Sequence, residues 1–181
     1  LFRAFLPAAY GGLEAAPDDF VGAVIEIAKA CTSTGWVLSV LGLHHWEMAQ
    51  MTKELQDELY ADGPDRLLSS SYAARGKAER VDGGFRISGR WRTSSGVLHS
   101  TWAILGAEVD VEGVGPVPHN FVVPLSETTI IDDWFVLGMR GTASRSIVGE
   151  DLFVPDHRVM DREILFAGAG PGLRHNTNPL Y

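Results

Sequence analysis

The run Asp82-Gly83-Gly84-Phe85-Arg86-Ile87-Ser88-Gly89-Arg90-Trp91-Arg92-Thr93-Ser94-Ser95-Gly96 gathers residue types suited to hold a ligand. Asp82-Gly83-Gly84 is a turn signal, and the residues after it alternate. Phe85, Ile87, Gly89 and Trp91 face one side, and Arg86, Ser88, Arg90 and Arg92 the other. That two-residue period predicts a strand with one buried face. The strand ends on three hydroxyls and a glycine, where backbone can approach a ligand closely, and Trp91 adds a flat apolar face with one donor. Such an end can floor a planar heterocycle; an ordinary strand running into a polar turn has the same composition. A second candidate is His44, eight residues after Trp36, close to two helical turns, so both can face one side. A histidine near its usual pKa of ~6.5 can take or share the proton of a hydroxyl. It can equally pack in a core, and His45 competes for the same role.

Positioning these groups falls to two kinds of element. Pro17-Asp18-Asp19 starts a helix whose apolar face is Phe20, Val24, Ile27, Ala28 and Cys31. Thr32-Ser33-Thr34-Gly35 is expected to interrupt, one of its hydroxyls capping a second helix that carries Trp36, Val40, Leu43, His44, His45 and Met48. Lys53 to Tyr60 predicts a third, short helix. From Arg66 onward, short extended runs separated by turns replace the helical spacing. They are Leu67–Ala73, a Lys77–Val81/Phe85–Thr93 hairpin, Thr101–Val109, Phe121–Pro124, Thr128–Asp132 and Ile147–Val154. The expected class is α+β: a helical domain at 1–65 and a small antiparallel β-barrel or sandwich at 66–163. Residues 164–181, with Ala167-Gly168-Ala169-Gly170-Pro171-Gly172, are expected to form a flexible link to further chain.

Composition excludes several functions. A formal net charge of −8 with no basic run argues against a nucleic-acid groove or an anionic membrane surface as partner. The lone Cys31 can form no internal disulfide, and a cytoplasmic setting is the simplest. No metal-ligand spacing, Gly-x-Ser-x-Gly elbow or Gly-x-Gly-x-x-Gly fingerprint is present.

Gly89-Arg90-Trp91-Arg92-Thr93-Ser94-Ser95-Gly96 resembles the flavin-contacting strand of the acyl-CoA dehydrogenase fold, in the branch of flavin-dependent monooxygenases. Pro7-Ala8-Ala9-Tyr10-Gly11-Gly12, Gly138-Met139-Arg140-Gly141-Thr142-Ala143-Ser144 and Val154-Pro155 are similar to further segments of that family, in order along almost the whole chain. In that fold a C-terminal helical bundle comes third; it is absent from this sequence. The dehydrogenases' Glu-Pro-Gly-x-Gly-Ser-Asp loop is replaced here by Leu68-Ser69-Ser70-Ser71-Tyr72-Ala73-Ala74, as suits the monooxygenase branch.

The resemblance implies the oxygenase component of a two-component monooxygenase. It would take reduced flavin (FMNH2 or FADH2) from a separate flavin reductase, and O2 as co-substrate, and hydroxylate a small aromatic, phenolic substrate through a C4a-hydroperoxyflavin. It further implies a homo-oligomer, a tetramer. His44 and Ser70 would approach the substrate hydroxyl, with Trp36 beside them. Ser95, or Ser94, would meet flavin N5, and Trp91 and Thr93 would line the ring. Arg140 is either a flavin or subunit-interface contact or an ion-pair partner of Asp132 or Asp133. Three rivals stand beside this expectation: an N-hydroxylase of an amine or amino sugar, an acyl-CoA dehydrogenase, and a non-catalytic module that has kept the fold.

Overall fold

The computed structural model describes residues 1–181. Helix α1 (Pro17–Ala30) begins with proline at its first position and Asp18 and Asp19 in the first turn, where the helix dipole favours carboxylates. Helix α2 (Thr32–Gln50) follows after a single extended residue, Cys31. The predicted interruption at Thr32–Gly35 is therefore the first turn of α2, and no hydroxyl caps it. The two helices cross so closely that a Cβ on Gly35 would stand 2.6 Å from the Cβ of Ala28. Glycine serves this crossing, and does not break the helix. Helix α2 has buried residues all round it, Leu38, Leu41, His44, His45, Glu47 and Met48 among them. It is the central strut of the molecule. Helix α3 (Lys53–Leu59) is capped by Thr52, whose hydroxyl accepts from the Leu55 N–H.

Seven strands form one sheet in the order β5-β6-β2-β1-β3-β4-β7. They are β1 (Leu68–Val81), β2 (Gly84–Ser94), β3 (Trp102–Val111), β4 (Gly115–Pro124), β5 (Thr129–Ile131), β6 (Arg145–Pro155) and β7 (Val159–Asp161). The hairpin about Asp82-Gly83 is present, with Val81 opposite Gly84. The sheet is mixed where an antiparallel one is expected, because β1 and β3 run parallel, from Leu68 opposite Trp102 to Lys77 opposite Glu108. Strand β4 starts six residues earlier than its sequence suggests. Pro116 and Pro118 read as breakers, but they lie in the stretch paired only with β3, and β7 reaches β4 only at His119–Phe121. An unpaired edge tolerates proline.

Period-two alternation divides the sheet residues between the two larger core clusters. Ala103, Leu105, Phe121 and Val123 join Trp91, Ile87 and Ile147 in one cluster. Their neighbours Ile104 and Val122 face the helices, with Leu68, Met48, Leu55 and Met160. Residues 164–181 do not hang free as the predicted flexible link. A short helix, α4 (Arg162–Phe166), buries Leu165 against the helical core. Beyond it, Asn176 Nδ2 donates to the Ala49 carbonyl and to Gln56 Oε1, and Trp46 Nε1 donates to the Leu180 carbonyl. Glycine composition suggested mobility, whereas these side-chain bonds dock the segment on α2 and α3. No helix is long and apolar enough to cross a membrane.

Candidate functional site

Strands β1 and β2 pair only from Lys77/Ser88 to Val81/Gly84 and then splay apart. Toward its start β1 stays with β3, and toward its end β2 stays with β6. The gap is bridged by Ser71 Oγ, which donates to the Arg92 carbonyl at 2.7 Å, and it is roofed by α2. A cavity of about 380 Å³ opens there, lined by Trp36, Val40, Leu43 and His44 of α2, Ser70 to Ala73 of β1, and Thr93 and Ser95 at the end of β2. A second hollow of about 410 Å³ shares Trp36, Thr93 and Ser95 with it and adds Trp134, Met139, Thr142 and Ser144. Both are the size of small-molecule pockets.

The structure separates the two histidines. His44 lines the cavity, and its Nδ1 lies 2.6 Å from the Leu68 carbonyl. A carbonyl only accepts, so Nδ1 carries the proton and Nε2 is left with a free lone pair. Burial lowers the pKa of His44 to about 4, so the ring is neutral near pH 7. The sequence expectation of an unperturbed histidine is corrected: this group accepts a hydrogen bond and resists full protonation. His45 turns away from the cavity, its Nδ1 2.8 Å from the Tyr60 hydroxyl.

The end of β2 places Ser95 by a local distortion. The register with β6 shifts between Trp91 and Ser94. Thr93 sits at φ +60 and Gly96 at φ +71. A β-branched residue with positive φ is a strained exception. Three of the five non-glycine positive-φ residues, Thr93, Met139 and Ala143, flank these hollows. A Cβ at Gly96 would lie 2.9 Å from Leu41 Cδ1, so glycine is required there by conformation and by space. Gly96 N–H donates to the Thr142 carbonyl at 3.0 Å, which ties the strand end to the 140–144 loop. Ser95 Oγ is thereby held 2.7 Å from Ser144 Oγ and 3.0 Å from Trp36 Nε1.

Two expectations are corrected, and one open alternative is narrowed. Trp91 is fully buried in the β core with its Nε1 donating to the Gly106 carbonyl at 2.7 Å, so it lines no cavity. Its place on the alternating face of β2 sends it inward, and Trp36, half exposed on α2, is the indole at the cavity. Ser94 is sealed in the interior, so of the two serines only Ser95 reaches the hollow. Arg140 pairs with neither aspartate: Asp133 is taken by Arg90 and Asp132 by Arg145. Its guanidinium is exposed and remains available to a flavin or another subunit.

Sequence reasoning missed a polar cluster behind His44. Glu47, one helical turn on, is buried and accepts from the Tyr72 hydroxyl and, at 3.3 Å, from Asn120 Nδ2. Arg162 Nη1 donates to the Tyr72 carbonyl. Burial raises the Glu47 pKa to about 7, although the Tyr72 bond and the nearby Arg162 charge oppose it. The spacing of His44 and Glu47 at i, i+3 was the available signal; its partners come from β1, β4 and α4, which no local pattern connects. Thr142 and Ser144 were also missed, although both lie inside the motif that singled out Arg140.

No protein-family model matches the chain. It is 42% identical, over 99% of its length and 47% of the relative's, to the flavin-dependent monooxygenase oxygenase subunit HsaA of Rhodococcus jostii. It is 40% identical, over 93% of its length and 41% of the relative's, to the FADH(2)-dependent resorcinol hydroxylase oxygenase component of a Rhizobium species. Among solved structures, 3-HSA hydroxylase from a Rhodococcus species superposes with a TM-score of 0.95 at 42% identity, covering 99% of this chain and 48% of that one. The chain thus spans about half the length of the curated relatives it matches.

Proposed function

We propose that this chain, a close homologue of flavin-dependent monooxygenase oxygenase components over nearly its whole length, is part of an oxygenase that hydroxylates a small phenol. The observation that carries the proposal is the joint opening of His44 Nε2 and the Ser95 hydroxyl onto one cavity between α2, β1 and the end of β2.

The residues present fit a reduced flavin. Trp36 offers a half-exposed flat face, Thr93 and Ser95 border both hollows, and Ser95 keeps one hydrogen-bonding position open. Bound there, the flavin supplies two electrons and the place where O2 is activated. The balance is one phenol, one O2 and one reduced flavin giving one catechol-type product, one water and one oxidised flavin.

The protein's part is positional. Val40, Leu43 and the Tyr72 ring make an apolar slot for an aromatic ring. Its hydroxyl donates to His44 Nε2 and meets Ser70. A phenol has a pKa of ~10, far above the value of about 4 for His44. The proton is therefore shared and not surrendered in the resting complex. Sharing it still raises electron density on the ring carbons, which makes them better nucleophiles. The slot also excludes water around the reacting atoms. Separate delivery of reduced flavin by a reductase belongs to this proposal, as do a cytoplasmic setting and a homotetramer. The exposed apolar side chains of Phe135 and Leu137, beside the unpaired Arg140, suit contacts between subunits.

The test supplies the full-length protein with a flavin reductase, NADH, FMN or FAD, a panel of phenols and ¹⁸O2. One ¹⁸O atom in a hydroxylated product supports the proposal. Turnover of reduced flavin to H2O2 alone across the panel overturns it.

A further inference from the structure

We infer that Thr142 and Ser144 are positioning residues that fix the polarity of the Ser95 hydroxyl, so that Ser95 can only accept a hydrogen bond from whatever enters the cavity. The inference rests on the reading of this cavity as a flavin site.

It follows from counting hydrogens along a chain of contacts. Thr142 Oγ1 lies 2.9 Å from the Met139 carbonyl. A carbonyl has no proton to give, so the single Thr142 hydroxyl hydrogen points at Met139. Ser144 Oγ lies 2.6 Å from Thr142 Oγ1 and must then be the donor in that pair. With its hydrogen committed, Ser144 can only accept from Ser95 Oγ, 2.7 Å away. On the other side, Trp36 Nε1, a donor only, gives its hydrogen to Ser95 Oγ at 3.0 Å. Ser95 has thus spent its one hydrogen and one of its two lone pairs. The remaining lone pair is what Ser95 offers to the hollows it lines.

An acceptor of this kind distinguishes the two redox states of a flavin. In the reduced ring N5 carries a hydrogen and donates. In the oxidised ring N5 has only a lone pair, which would oppose the lone pair of Ser95. The relay therefore favours entry of the reduced ring and release of the oxidised one, as a cofactor that is exchanged at every turnover requires. Burial of Thr142 and Ser144, 2% and 3% exposed, protects the relay from water that would scramble its direction.

The test uses the full-length protein and anaerobic titrations with dithionite-reduced and with oxidised FMN and FAD. Wild type, Ser95→Ala, Ser144→Ala, Thr142→Val and Thr142→Ser are compared, with circular dichroism as the folding check. The wild type should bind the reduced form more tightly. Ser144→Ala and Thr142→Val free the Ser95 hydrogen, and the ratio of affinities should fall roughly tenfold, the scale of one hydrogen bond in a water-poor site. The midpoint potential of the bound flavin should fall with it by about 30 mV for a two-electron couple. Thr142→Ser keeps the hydroxyl and should restore the wild-type ratio and potential. If Ser95→Ala loses the preference while Ser144→Ala and Thr142→Val keep it, the relay is refuted and the flavin reading survives. If Ser95→Ala keeps the preference too, Ser95 does not meet the flavin and both fall. If Thr142→Val does not fold, Ser144→Ala and Thr142→Ser decide the matter.

Discussion

The Tyr72 hydroxyl, on β1, donates to the buried carboxyl of Glu47, on α2, and so joins a wall of the cavity to the turn of helix behind His44. Around that carboxyl stand Asn120 and the charge of Arg162, yet burial prevails and holds the Glu47 pKa at about 7.

A raised carboxyl pKa is a stability statement. Unfolded Glu47 releases its proton near pH 4.5, whereas the folded residue keeps it to about 7. The folded state then binds more protons across that window, so its stability falls as pH rises through it. His44 and His45, both lowered to about 4, act oppositely: their contribution is present above ~6.5 and is lost as pH falls toward 4. Glu47→Gln keeps an acceptor for Tyr72 and cancels only the first effect. Its advantage over wild type should be small at pH 4.5 and grow to on the order of 3 kcal/mol above pH 7.5. Denaturant melts at several pH values measure this, and a difference that does not vary with pH would sink it.

His44→Ala should slow hydroxylation by roughly 10²-fold or more, the usual scale for a positioned proton acceptor. O2 consumption by reduced flavin should be nearly unchanged, so the lost product appears as H2O2. Because the His44 pKa is about 4, the wild-type hydroxylation step should show no histidine ionisation between pH 6 and 8. Single-turnover product formation across that range provides the check. A limb near pH 6.5 that vanishes in His44→Ala would contradict the neutral-acceptor role.

What could be read in advance divides by the range of the interaction. Helices α1 and α3 and the Asp82-Gly83 hairpin are local events, set by periodicity, prolines and turn residues, and they appear where the sequence places them. Helix α2 starts a turn earlier than the sequence suggests, because Gly35 serves a helix crossing and not a break. The two stretches on opposite sides of the cavity, around His44 and Ser95, were also legible. The partners of Glu47 and the hydroxyl relay were not, because both depend on contacts between segments far apart, such as Ser95 to Ser144 and Glu47 to Asn120. Trp91 shows the opposite error. A tryptophan beside three hydroxyls suggested a ligand face, but the same alternation that revealed the strand already assigned it to the buried side.

Trp91 therefore supports a prediction about stability. Trp91→Phe removes the donor to the Gly106 carbonyl and opens a void beside Gly76 and Gly89, whose backbones crowd the indole. The expected cost is about 2–4 kcal/mol, seen as a lower melting temperature. Flavin affinity in the surviving folded protein should be unchanged. A variant of wild-type stability with weakened flavin binding would return Trp91 to the site.

Ser95→Ala tests the contact at the centre of the proposal. Ser95 is the one serine at the end of β2 whose hydroxyl borders both hollows, while the Ser94 hydroxyl is buried without a partner. Removing Ser95 deletes the lone pair that would hold the N5 hydrogen of reduced flavin. Escape of activated oxygen as H2O2 requires that hydrogen to leave, so a bond of ~1–1.4 kcal/mol slows the escape by up to about tenfold. H2O2 released per O2 consumed should rise in Ser95→Ala, and hydroxylated product per O2 should fall by the same amount. The folded structure should lose little, because Trp36 is half exposed and water can take the Nε1 hydrogen, while Ser144 keeps its bond to Thr142. Ser94→Ala serves as the control one residue away. Equal coupling of O2 to product in wild type and Ser95→Ala, with loss in Ser94→Ala, would move the contact one residue back; equal coupling in all three would remove this strand end from the chemistry.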